Sequence, residues 1–256
     1  MANNPWNPTE YDNRFDFVTR LGAALIDELA PEPGQRVLDI GCGTGHLTAQ
    51  LVARGASTVG VDSDPAMIAA ARQRYPELAW LVADIQHPPP DLLGEAFFDA
   101  AISNAALHWM PQQQAALTAI RQALRPGALF VAEMGGAGNV AAVDAALRQA
   151  LASCGVSVDV PQNFYPTIGE EATLLADAGF RVDQARWFER PTPLQAGDTP
   201  VDWVSHFRAD LWTSLAPKTR EQVTTELLSG TEAAGLHRDG TWYVDYCRLR
   251  FRATAV

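Results

Sequence analysis

Apolar positions between Phe15 and Leu29 recur at helical spacing, and Pro31 and Pro33 followed by Gly34 close the segment, so the pattern predicts an N-terminal helix. From Arg36 onward, short β-rich runs alternate with Ala-rich helical stretches. RVLDI, STVGVD, AWLVA, FDAAIS and ALFVAEM read as strands. Helices are predicted near His46 to Arg54, Pro65 to Tyr75 and Gln112 to Leu124, the last ended by Arg125-Pro126-Gly127. This is the βαβ rhythm of a parallel sheet covered on both faces, and it implies right-handed crossovers.

Beyond Met134 the rhythm changes. Gly135, Gly136 and Gly138 precede a helical stretch to Cys154, and the turn-rich segment VSVDVPQNFYPT follows. A short helix from Gly169 to Ala178 leads into FRVDQARWFE, a strand pattern. Val201 to Leu228 reads as helical, with Trp203, Phe207 and Trp212 spaced at i, i+4 and i+9, and the chain closes on the strand pattern WYVDYCRLRF. Two late strands separated by a helical insertion predict an antiparallel, hairpin-like edge on the parallel sheet. Six segments are therefore expected. They are an N-terminal helical cover over 1–35, an α/β core over 36–138, a lid segment over 139–168, a core helix and edge strand over 169–194, a helical lid insertion over 195–240, and a last edge strand over 241–256.

The 256 residues, 47% of them hydrophobic, are enough for one sizeable core with a modest insertion. A formal net charge of -11 repels phosphate backbones and anionic membrane surfaces at long range, which argues against nucleic acid or membrane partners. No run of 18 apolar residues occurs, and the start MANNPWNPTEYDNRF has neither a basic n-region nor an apolar h-region, so a cytoplasmic protein is expected. Cys42, Cys154 and Cys247 are too scattered for a disulfide framework or a C-x-x-C metal pair. They are expected to be reduced thiols, with no metal site.

The chemistry concentrates where Val37-Leu38-Asp39-Ile40 runs into Gly41-Cys42-Gly43-Thr44-Gly45 and then a helix. Glycines at such a strand-to-helix turn let backbone approach a ligand closely. Asp62 ends the next strand, at the distance where a carboxylate accepts hydrogen bonds from ribose hydroxyls. Together they point to an adenosyl or nucleotide pocket. The spacing is G-x-G-x-G, with His46 next, rather than the G-x-G-x-x-G of dinucleotide turns. A pyrophosphate tolerates little negative charge beside it. Asp39 in an acidic chain therefore favours a cationic sulfonium and ammonium ligand, and the rival reading, a Rossmann-type oxidoreductase, is disfavoured.

The segments VLDIGCGTGHLT, VGVDSDPAMIAAAR, ADI and FDAAISNAALHW resemble the successive motifs of class I methyltransferases that use S-adenosylmethionine (SAM), closely over about residues 36 to 134. Trp6-Asn7 with Tyr11 and Phe15, the run from Ser103 to Trp109, and the W…DY…RLRF ending resemble the trans-aconitate methyltransferase group in particular. Malonyl-carrier-protein methyltransferases are more distantly similar. The resemblance implies a Rossmann-like α/β fold, a seven-stranded, mostly parallel sheet with helices on both faces and a small helical lid. It implies SAM as cofactor and S-adenosylhomocysteine as product. Carried across, Gly41, Cys42 and Gly43 would lie along the methionine part and sugar, and Asp39 would anchor the ammonium. Asp62 would hold the ribose with the Ser63 amide beside it, and Met67 would pack on adenine, whose edge Asp84 and Ile85 would read. The backbone of Asn104 and Ala105 would face the ammonium, and Tyr11 would join the cofactor site.

Methyl transfer from a sulfonium is an in-line displacement, so the protein must chiefly align the reactants and exclude water. A carboxylate acceptor, which the resemblance suggests, arrives ionised and needs no base. His108 follows the fourth strand's carboxyl end, where open α/β sheets bind ligands, and is a candidate acceptor contact, or a base for a hydroxyl acceptor. Trp6, Arg14, Trp109, Trp203, His206, Phe207 and Arg208 are further candidates for the acceptor side, arginine because its planar fork matches a carboxylate. A small-molecule acceptor and a monomer or homodimer are expected. Methylation of a hydroxyl or a carrier-bound acyl group, and a SAM-binding paralogue without catalysis, stay open as alternatives. The arginine alternation Arg248, Arg250, Arg252 reads as one solvent-facing or helix-covered face of the last strand.

Overall fold

The computed structural model describes residues 16–89 and 98–256. Five strands form the parallel part of the sheet, β1 (Arg36–Ile40), β2 (Ser57–Asp62), β3 (Ala79–Val82), β4 (Phe98–Asn104) and β5 (Leu124–Gly135). Pairing is parallel between β1 and β2, β1 and β4, β2 and β3, and β4 and β5. The register sets Ile40 beside both Val61 and Ser103, so the carboxyl ends of β1, β2 and β4 reach one level, where the glycine turn begins.

The described residues of this part of the chain form the helices α1 (Asp16–Leu29), α2 (His46–Ala53), α3 (Pro65–Arg74) and α4 (Gln113–Ala123). The Asp64 side chain caps α3 by accepting from the Ala66 amide at 2.7 Å, and Pro65 occupies the first helical turn, where its missing N–H costs nothing. Alternate strand residues feed opposite cores. Leu38, Ala101 and Phe130 face Leu117 and Ile120 of α4, whereas Val37, Ala100, Ile102 and Val131 face Leu25 and Ile26 of α1 and Leu47 and Leu51 of α2. Burial on both faces is why these strands read as nearly continuous apolar runs.

The chain continues through α5 (Ala141–Ser153), α6 (Ile168–Asp177), β6 (Phe180–Glu189), β7 (Thr192–Pro193), α7 (Pro200–Phe207), α8 (Ala209–Ser214), α9 (Pro217–Ala233), β8 (His237–Arg238), β9 (Thr241–Val244) and β10 (Cys247–Ala255). The large sheet has seven strands in the order β3-β2-β1-β4-β5-β10-β6, and a small one has the order β7-β9-β8. The chain divides into two compact units. One holds 16–136 of the described residues with Asn163–Trp187 and Leu249–Val256, and the other holds Ala137–Gln162 and Phe188–Arg248.

Three features differ from the sequence reading. The last strand is not an edge strand, because β10 lies between β5 and β6 and leaves β6 outermost. WYVDYCRLRF is two strands, interrupted where Asp245 turns to cap α5 by accepting from the Ala142 amide at 2.7 Å. The helix predicted over 201–228 is three helices, broken at Arg208, which leaves helical geometry (φ -128, ψ 36), and restarted at Pro217.

The interior position of β10 explains the arginine alternation. Arg250 is buried and donates to Glu133 of β5 through Nε at 2.8 Å and Nη2 at 2.5 Å, with Glu28 of α1 at 3.4 Å from Nη1. Arg252 is exposed. Losing the guanidinium takes two hydrogen bonds and the opposite charge from the buried Glu133, so Arg250→Met should cost about 3–5 kcal/mol in denaturant unfolding. The double variant Arg250→Met with Glu133→Leu should recover most of that loss, and an unchanged midpoint for the single variant would show that the pair contributes nothing.

Candidate functional site

The turn after β1 hangs from the end of β2. Gly41 and Cys42 both donate their amides to the Val61 carbonyl, at 2.8 and 3.0 Å, and the Gly45 amide closes on the Cys42 carbonyl at 3.0 Å. The three glycines answer different constraints. At Gly41 a Cβ would run into the Ala106 methyl, and at Gly45 it would run into the Trp80 ring. At Gly43, with φ +55, a Cβ would meet nothing within 4 Å among the described residues. Two of the glycines are thus imposed by packing, and the third lines an open cradle where a ligand can lie against bare backbone.

Acidic side chains border that cradle. Asp62, at the end of β2, accepts from the Gly43 amide through Oδ2 and from the Asp64 amide through Oδ1, both at 2.9 Å. Burial raises its pKa, and these backbone donors partly offset the rise. Asp39 is only 1% exposed and accepts a 2.6 Å hydrogen bond from the Thr48 hydroxyl of α2. Burial pushes its carboxyl up to about 7, against the Thr48 bond and with the help of the Asp62 charge. A cation in the cradle would favour the ionised form of both acids, so the acidic border fits a sulfonium with an ammonium group. The Cys42 thiol is buried beside Asp39 and Asp62, and burial and their charges push its pKa upward, which keeps it protonated and inert.

The other expected cofactor residues are distributed along the same strand ends. Ser63 is exposed next to Asp62, whereas Met67 is buried in α3 and Ile85 is part of the main core. Although burial opposes it, the Asp84 carboxyl is held below its usual range by hydrogen bonds to the Gln86 amide and side chain and to His87. Its oxygens thus organise their own turn. After β4, Ala105 takes the left-handed conformation (φ +56) and donates its amide to the Glu133 carbonyl at 2.7 Å. This bend delivers Ala106 against Gly41. The Asn104 side chain fills the place where a Cβ on Gly22 of α1 would stand.

His108 lies in a single 3-10 turn, Leu107–Trp109, and is buried. The Gly135 amide, at the end of β5, donates to its Nδ1 at 3.3 Å, and the Phe164 amide donates to its carbonyl at 3.1 Å. The rings of Trp109 and Tyr165 flank it at 5.4 and 5.7 Å between centroids. Trp203, His206, Phe207 and Arg208 belong to the other unit and cluster with one another. Phe207 packs against Trp203 and His206, and Trp203 donates its indole N–H to the Tyr246 hydroxyl at 2.7 Å. The buried Arg208 guanidinium lies over Trp203 and meets both Asp144 oxygens at 3.2 Å. Trp6, Tyr11 and Arg14 lie outside the described residues.

Sequence reading missed Thr48, Trp80 and Gly135. Thr48 is i+9 from Asp39 and has no motif of its own. Trp80 sits in a strand where an aromatic residue is ordinary. Gly135 acts through its amide, which every residue but proline has.

A methyltransferase domain family matches residues 38–132, which span the glycine turn, Asp62, Asp84 and β4. A trans-aconitate 2-methyltransferase of Mycobacterium tuberculosis is 31% identical, covering 78% of this chain and 77% of that one. The chain belongs to the class I SAM-dependent methyltransferases. An uncharacterized methyltransferase of Schizosaccharomyces pombe is 27% identical across 99% of both chains, whereas several other trans-aconitate 2-methyltransferases are matched over about half their length. In fold, phosphoethanolamine N-methyltransferase 2 of Haemonchus contortus, solved with S-adenosyl-L-methionine, superposes with a TM-score of 0.57 at 16% identity, covering 92% of this chain and 52% of that one. The cofactor of this methyltransferase is SAM.

Two outcomes follow for the methyltransferase. Gly43→Val, strained by the left-handed φ of +55, should lower the melting temperature and lose SAM binding even where it folds, and Asp62→Ala should weaken binding by about 10-fold to 150-fold, or about 1.5–3 kcal/mol. Calorimetry that finds normal affinity in either folded variant would place the pocket elsewhere. The second outcome concerns pH. Because the Asp39 carboxyl titrates at about 7 in the free protein, a bound cation favours its ionised form, and SAM affinity should fall as pH drops through that value. The expected slope approaches roughly tenfold per pH unit below it. The Asp62 shift acts in the same direction. Asp39→Asn should flatten the dependence, and an identical pH profile in that variant would remove Asp39 from the linkage.

Proposed function

We propose that this methyltransferase moves the SAM methyl group to an oxygen of a small-molecule acceptor, a carboxylate, by in-line displacement. The observation that carries the reading is the open cradle at Gly43 bordered by Asp39 and Asp62, which suits a cationic donor and which no described residue fills within 4 Å of a Gly43 Cβ. The carboxylate is supported by the likeness to the trans-aconitate 2-methyltransferase of Mycobacterium tuberculosis. A net charge of -11 supports a small acceptor over nucleic acid. Among the described residues no helix is long and apolar enough to cross a membrane.

When bound, SAM supplies an electrophilic methyl on a positive sulfur. In this reading Asp62 holds the ribose hydroxyls, with the Ser63 amide beside it. Asp39 and the backbone at Asn104 and Ala105 counter the ammonium charge. Met67 and Ile85, with the turn that Asp84 organises, form the adenine end. Gly41, Cys42 and Gly43 give the backbone floor. The protein then acts by alignment and by excluding water, and no covalent nucleophile is needed.

A screen of carboxylic acids, phenols and alcohols for S-adenosylhomocysteine release tests the proposal. Turnover with at least one carboxylic acid, yielding its methyl ester, is expected. Turnover confined to hydroxyl acceptors would overturn the carboxylate assignment. Thermal protection by SAM without S-adenosylhomocysteine release from any acceptor would instead mark a binding protein.

A further inference from the structure

His108 occupies a defined place in the fold. It follows the carboxyl end of β4, and its ring reaches the carboxyl end of the neighbouring β5, since Asn104 pairs with Glu133 and the ring contacts Gly135 two residues on. This is the edge of an open parallel sheet where ligands bind.

A backbone amide can only donate, so the Gly135 N–H pointing at Nδ1 requires that nitrogen to bear a lone pair. In the neutral ring the single proton is then on Nε2. The group that faces Nδ1 is a main-chain amide, which does not titrate. The Trp109 and Tyr165 rings pack 5.4 and 5.7 Å from it between centroids, and the Phe164 amide holds its carbonyl.

An imidazole in this state can give a hydrogen bond through Nε2, but it has no lone pair there with which to take a proton. We infer that His108 is a hydrogen-bond donor for the methyl acceptor, a specificity-determining residue that selects carboxylates over neutral hydroxyls; this rests on the oxygen-methylation reading above. Nε2–H binds one carboxylate oxygen and turns the other toward the methyl carbon. As the new C–O bond forms, the methyl C–S bond breaks and its electron pair returns to sulfur. The carboxylate becomes a neutral ester and the sulfonium a neutral thioether. No proton moves, so no base is needed. A hydroxyl acceptor would have to lose a proton, and this histidine is already protonated on the nitrogen that would receive it.

The test begins without turnover. In protein labelled with ¹⁵N-histidine, with the His108 signals assigned by their loss in His108→Gln, Nδ1 should resonate as the unprotonated nitrogen and Nε2 as the protonated one. A proton on Nδ1 would overturn the inference. With the protein saturated with S-adenosylhomocysteine, trans-aconitate as the carboxylate probe should shift the Nε2 signal, and catechol as the hydroxyl probe should not. No shift with trans-aconitate, or a larger one with catechol, would also overturn it.

For any carboxylate found in the acceptor screen, His108→Phe should raise the acceptor KM by about 10- to 100-fold and leave SAM affinity unchanged. His108→Gln, whose amide N–H₂ can replace the Nε2 donor, should stay within about 10-fold of the parent in kcat/KM. Both variants are checked for folding by their melting temperatures. If Gln fails as badly as Phe in kcat, His108 acts as a base and the inference falls. If no acceptor is methylated by the parent protein, the functional reading fails while the tautomer and probe measurements still decide the role of His108.

Discussion

The Val61 carbonyl, which receives both the Gly41 and Cys42 amides, is the constraint around which the site is arranged. A buried parallel strand that must pass straight into a helix has backbone donors with no partner in its own ladder. Here the neighbouring strand takes them. The same strand end supplies Asp62, which takes the next donor at Gly43. The turn, the cradle and the acid at its border are therefore one hydrogen-bonded assembly. A change at the end of β2 would reach the ligand surface without touching a ligand.

The electrostatic character follows from burial. Asp39 lies at full depth under the turn with one hydroxyl partner, Thr48, and Asp62 lies nearby, so the free site holds more negative charge than its own donors compensate. Desolvation resolves this by raising both acids toward neutrality. A cationic cofactor resolves it by supplying the missing charge. The proposed role of this site in holding SAM and the pH dependence expected of it thus rest on one cause. The Cys42 thiol is kept protonated in the same field, so a cysteine inside the turn is chemically silent.

The unit formed by Ala137–Gln162 and Phe188–Arg248 carries its own logic. Asp245 and Asn139 fasten the start of α5 to the segment before β10, through bonds to the Ala142 and Cys247 amides. Arg208 is engaged by both carboxylate oxygens of Asp144 through Nη2. Trp203 and Phe207 pack as an aromatic cluster with Arg208 above it. An arginine among aromatics on a helix attracts attention in a sequence, but burial with an internal partner is an equally good reason for it.

Much of the core was legible from residue order alone, because its determinants are local. The five parallel strands are continuous apolar runs bounded by turns, and the helices between them carry apolar stripes and start or stop at Pro65, Pro126 and Gly127. The glycine turn and Asp62 were legible for the same reason, since a strand-turn-helix with an acid at the next strand end is a short-range pattern. Strand order was not, because an apolar run that suits an edge also suits an interior position. Only the arrangement of β5, β6 and β10 puts the last strand inside and buries Arg250 on Glu133. Nor could sequence say which glycine of the turn packing leaves open. Gly41 and Gly45 are required by Ala106 and Trp80, distant in the chain, whereas at Gly43 no described residue comes within 4 Å of a Cβ. The partner of the His108 ring nitrogen was likewise decided by tertiary structure, because it is a backbone amide at Gly135, 27 residues away, and an amide leaves no trace in the identity of the residue that carries it.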